Sequence, residues 1–121
     1  MTHLAIRIIA ALFVLGGLAH WLLLFGVLHE HAPWPIAIYF HSLAVLDPLA
    51  GAGLWRCRQW GRWLALAIAA TQLAAHGCMI YLDTAAGWQS GVGLPERLLD
   101  MAFALFLLVF LNLPSRRRLF R

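Results

Sequence analysis

The chain has 121 residues, 63% of them hydrophobic and only 12% charged, and a mean hydropathy of +0.80. A water-soluble domain of this size cannot hide so much apolar side chain, because small domains have a high surface-to-volume ratio and need a charged exterior, so lipid must be part of its solvent. All nine basic residues are arginine and the net charge is +4; they gather at the ends of apolar runs, which argues against nucleic acid and for the lipid bilayer as partner.

A membrane-spanning helix needs about 20 apolar residues at 1.5 Å rise each. The first run of that kind, about residues 5–28, carries the small residues Gly16, Gly17 and Ala19 and one ionisable group, His20. It is long and lacks a small-x-small cleavage site, so the sequence predicts an uncleaved span, not a signal peptide. The connection His29-Glu30-His31-Ala32-Pro33-Trp34-Pro35 leads to a second run, about 36–55, which contains His41, Asp47 and the small residues Ala50 to Gly53. Pro48 directly follows Asp47, removes one helical hydrogen bond and frees the carbonyl of Ala44.

The next connection, Arg56-Cys57-Arg58-Gln59-Trp60-Gly61, opens a third run, about 62–83. Gln72, His76, Met79 and Asp83 share one face of it by helical spacing. Cys78 lies inside this run and Cys57 in the preceding loop; at such different depths they form no disulfide. The segment Thr84 to Pro95, with Gly87, Ser90, Gly91 and Gly93, leads to a fourth run, about 96–113. Glu96, Arg97 and Asp100 fall within its first turn or so, where Arg97 can pair with either carboxylate. Arg116, Arg117, Arg118 and Arg121 follow.

Short connections make successive helices antiparallel, and the expected fold is an all-α, integral membrane, antiparallel four-helix bundle that forms a single domain over residues 1–121. Arg56, Arg58 and Arg62, the four arginines of the tail and Arg7 fall on one side, and only Arg97 on the other. Positively charged loops stay in the cytoplasm, so both termini are expected there, in a bacterial inner membrane. Trp21, Trp34, Trp55, Trp60, Trp63 and Trp88 mostly fall near span ends, as interfacial anchors do. The layout, with its Arg- and Trp-rich inner loop from Leu54 to Trp63, is similar to that of many small bacterial inner-membrane proteins.

An ionisable side chain inside a span is expensive, so each one is a candidate for function. At 1.5 Å per residue, His20 lies about 12 Å, His41 about 8 Å, His76 about 10 Å and Asp100 about 6 Å from the outer end of its run. Each helix thus offers one group to the same outer layer, and the sequence predicts an outward-facing polar pocket there. Asp47, about 16 Å deep, and Gln72 form its floor, and Arg97 its rim. In hydrocarbon Asp47 must be neutral or paired, and Gln72, at similar depth, is the first partner the depths suggest.

Three readings of this layer are open. In the first, a non-enzymatic membrane protein binds a small ligand or ion through His20, His41, Asp47, Gln72, His76, Arg97 and Asp100, as an accessory subunit or a small carrier. In the second, a redox subunit holds a metal ion through His20, His41, His76 and Asp100, or a b-type haem between His20 and His76. In the third, the polar groups only hydrogen-bond helices together, within this chain, a homo-oligomer or a larger membrane complex. No nucleophile with an adjacent base and no phosphate-binding loop is visible, which weighs against an enzyme.

Overall fold

The computed structural model describes residues 2–26, 34–85 and 93–121. The connections bearing His29, Glu30, His31 and Pro33, and Gly87, Trp88, Ser90 and Gly91, lie outside the described residues, as do the side chains of Trp34, Pro35 and Asp83. The described chain is helical: α1 (Thr2–Gly26), α2 (Trp34–Trp55), α3 (Gln59–Ala85), α4 (Leu94–Asn112) and the single turn α5 (Pro114–Arg117), with no strand among the described residues.

Three stretches are long and apolar enough to cross a membrane: His3–Leu22 in α1, Ala37–Trp55 in α2 and Gln59–Leu82 in α3. The expected fourth, α4, has 19 residues but begins with Glu96, Arg97 and Asp100 in close succession, and it does not join them. The contacts divide the chain into two compact units, Met1–Ala65 with Arg118–Arg121, and Leu66–Arg117. Helix α3 contributes to both.

In the first unit α1 and α2 run antiparallel. His20 meets Asp47, Gly17 meets Pro48, Ala10 lies beside Gly51, Arg7 lies over Trp55, and His3 approaches Cys57. Ile6, Ile9, Ala10 and Phe13 of α1 and Leu43, Ala44, Ala50 and Leu54 of α2 are buried. The glycines explain how closely the helices approach. A Cβ on Gly51 would come within 2.7 Å of the Ala10 carbonyl oxygen, and one on Gly17 would overlap the ring of Pro48. Small residues let backbones approach where apolar solvent gives no hydrophobic drive for packing.

The opposite face of α1 carries Leu4, Ile8, Leu12, Leu15, Leu18 and Leu22, all exposed and three or four residues apart. Soluble proteins rarely leave so continuous an apolar stripe uncovered, and it suits contact with acyl chains.

Helix α2 ends in a Schellman arrangement. The Arg58 N–H donates to the Gly53 carbonyl at 2.9 Å and the Cys57 N–H to that of Leu54 at 2.9 Å, while Cys57 takes the left-handed conformation with φ 50°. Gly53 and Gly61 then meet backbone to backbone across the turn. Arg121 closes this end of the unit: its N–H donates to the Cys57 carbonyl at 3.1 Å, and its carbonyl accepts the Gln59 N–H at 3.2 Å. Phe120 is buried.

In the second unit Leu66, Ile68 and Ala69 of α3 and Ala104, Leu107 and Leu111 of α4 are buried. Leu98, Leu99, Leu105, Phe106 and Val109 line exposed faces of α4. Past the helix end the Arg116 guanidinium lies 5.0 Å from the Phe110 ring centroid, and Arg117 donates to Asn112 Oδ1 at 3.2 Å.

Candidate ligand site at His20 and Asp47

Asp47 sits where packing asks for an apolar side chain. Leu43, Asp47, Ala50 and Leu54 follow one another at intervals of four, three and four along one face of α2, and all are buried. A lone carboxylate there would carry a desolvation penalty of several kcal/mol. His20 of α1 offsets it, with Nδ1 3.0 Å from Asp47 Oδ2. The Phe40 ring lies against the imidazole at a centroid separation of 5.6 Å and fixes it from the α2 side.

The other carboxylate oxygen, Asp47 Oδ1, is buried and has no hydrogen-bond partner among the described residues. Asp47 is only 3% exposed. Gly16, one turn before His20, keeps space beside the carboxylate, since a Cβ there would stand 3.6 Å from Oδ2. The site is therefore an acceptor with one oxygen engaged and one lone-pair set unused, reached by an imidazole that is itself partly exposed.

The partner of Asp47 corrects the sequence expectation: His20 occupies the place given to Gln72. Depth along the helix axis put His20 and Asp47 several ångströms apart, but it ignores the reach of an imidazole and the inclination of one helix to the other. The α1–α2 register could have been found from the glycines, because Gly17 against Pro48 forces His20 towards Asp47.

His41 also departs from expectation. Its side chain is exposed, and its Nδ1 pairs with the Ala37 carbonyl one turn back at 2.6 Å. Of the two neighbouring rings it is Phe40, not His41, that faces His20.

The second unit holds a second acid–imidazole pair, His76 Nε2 at 3.6 Å from Asp100 Oδ2. That distance is beyond a good hydrogen bond, and the Asp100 side chain is 56% exposed. Gln72 is half-buried on the same helix. Arg97, expected at a rim, is 1% exposed, whereas Glu96 and Asp100 on either side are exposed. The reason is periodicity: Arg97 precedes Ala104 by seven residues and so continues the buried row of Ala104, Leu107 and Leu111.

The groups of the expected outer layer are thus sorted into one pair in each unit, with His41 bonded to its own helix. Among the described residues no group of three or more His, Cys, Asp or Glu side chains is placed to hold a metal ion. Both cysteines are free, and Cys57 Sγ lies 3.9 Å from His3 Nδ1 at the arginine-bearing end.

Fold and site together define a class: an all-helical protein with three apolar helices of membrane-spanning length and a buried imidazole–carboxylate pair between the first two. The chain belongs to a family known from sequence and described as a family of unknown function (DUF6163), which matches residues 1–113. Neither the curated proteins nor the solved structures contain a match.

Proposed function

We propose that this is a four-span bacterial inner-membrane protein with both termini in the cytoplasm, and that it binds a small ion or hydrogen-bond-donating ligand at His20 and Asp47, as an accessory subunit or a small carrier. The observation that carries the reading is Asp47 Oδ1, a buried carboxylate oxygen without a partner among the described residues, beside an imidazole that already engages Oδ2. Such a site favours a cationic or donor species, and a proton is the smallest. An anion would meet the carboxylate at close range.

The membrane part rests on the three apolar helices and the uncovered apolar stripe of α1. A fourth crossing by α4 needs its three early charges to lie at or near an interface, and Arg97 already turns inward. The common placement of the α1 start, the α2–α3 turn and Arg121 at one end supports a shared side for both termini.

Infrared difference spectroscopy on the protein in lipid vesicles, moved between acidic and alkaline buffer, tests the proton version. A carboxylic-acid band that is absent from Asp47→Asn and shifted in His20→Gln is expected. Identical spectra from parent and Asp47→Asn would remove Asp47 as the titrating site.

A further inference from the structure

The first unit gathers positive charge at one end. Arg7 of α1, Arg56 and Arg58 of the turn after α2, and Arg118 and Arg121 are all exposed. They come from three stretches of chain held together by named contacts. The Arg7 guanidinium lies 5.5 Å from the Trp55 ring centroid, and Arg121 is tied by both backbone groups to Cys57 and Gln59, on either side of Arg58. None of the five meets a carboxylate among the described residues. Of the two acidic residues in this unit's sequence, Asp47 is engaged by His20 and Glu30 lies outside the described residues.

Like charges brought together repel, and an anion seated among them offsets that repulsion. Guanidinium groups present planar, bidentate donors that match phosphate oxygens, and stacking on an indole orders one of them in advance. Trp55, Trp60 and Trp63, exposed around the same end, have the amphipathic rings that settle at headgroup depth.

We infer that this end is a binding site for the phosphodiester headgroup of an anionic phospholipid in the leaflet that faces it. The inference rests on the membrane part of the proposed function and is independent of the site at His20 and Asp47. Arg7, Arg58 and Arg121 supply the charge, and Trp55 orders Arg7 and covers the adjoining glycerol and acyl region.

The test is native mass spectrometry of the full chain extracted from membranes, followed by titration with phosphatidylglycerol and, separately, phosphatidylcholine and inorganic phosphate. The parent is expected to retain phosphatidylglycerol in preference to phosphatidylcholine. At about a fivefold effect per arginine near the surface, the Arg7→Gln, Arg58→Gln, Arg121→Gln variant is expected to lose roughly 100-fold in affinity. The matching lysine variant keeps the charge but loses the bidentate geometry and is expected to fall between. Circular dichroism of each variant checks folding, and the lysine variant carries the comparison if the glutamine one does not fold.

Equal retention of phosphatidylglycerol and phosphatidylcholine by the parent, unchanged affinity in the glutamine variant, or full competition by inorganic phosphate would each overturn the inference. Chain recovered in the soluble fraction of the cell would instead defeat the membrane reading itself.

Discussion

Gly17 and Pro48 touch so closely that the ring of the proline occupies the space a Cβ on residue 17 would need. Gly17→Ala is therefore expected to destabilise the α1–α2 pair by about 1–3 kcal/mol, as overpacking does. This is despite alanine's better helix propensity, worth about 1 kcal/mol. Gly16→Ala, whose Cβ would stand at an ordinary 3.6 Å from Asp47 Oδ2, is expected to fold normally. Thermal denaturation in detergent compares the two, and equal melting of Gly17→Ala and the parent would show that the helices can spread without loss.

Gly53 and Gly61 make the corresponding contact between the end of α2 and the start of α3, and here backbone meets backbone, so no side chain can swing aside. Alanine at either position is expected to cost about 1–3 kcal/mol. Because both changes break the same contact, the double variant should lose clearly less than the sum. Additive losses would mean that the two glycines act separately.

The His20–Asp47 pair is expected to couple by about 0.6–1.7 kcal/mol, the range of interhelical hydrogen bonds measured within membranes. A double-mutant cycle with His20→Phe and Asp47→Asn measures it. A coupling near zero would leave His20 as a neighbour without energetic part in the site.

Cys57 holds a left-handed conformation that glycine adopts without penalty, so Cys57→Gly is expected to stabilise the turn by about 1 kcal/mol. The parent thiol also reports topology. With the arginine-bearing end in the cytoplasm, a membrane-impermeant maleimide should label Cys57 in inverted vesicles and not in intact spheroplasts. The reverse pattern would invert the proposed orientation.

The extents of α1, α2 and α3 were legible in the apolar runs, and each of these helices ends within a few residues of its expected limits. Asp47 and His20 were legible as costly groups, but their pairing was not. Axial depth treats side chains as points on parallel rods, while the register is set by Gly17, Pro48 and Gly51, whose meaning appears only when the helices meet. The bond of His41 escapes depth counting for a related reason: an imidazole can satisfy its Nδ1 on the carbonyl one turn back. Arg97 was the opposite case, since its spacing to Ala104, Leu107 and Leu111 marks the buried face, but its charge drew attention to the surface. Nothing in the pattern announces that Arg121 will pair with Cys57 and Gln59, because two isolated backbone bonds leave no imprint on side-chain composition.

That last pairing bears on biogenesis. Helices α1 and α2 can zip together while the ribosome is still elongating through the second half of the chain, since every contact between them lies in residues already made. The carbonyl of Cys57 and the amide of Gln59, by contrast, wait for a partner until residue 121 has been translated. A nascent chain stalled short of that point would hold an assembled hairpin with its arginine-bearing mouth unsealed.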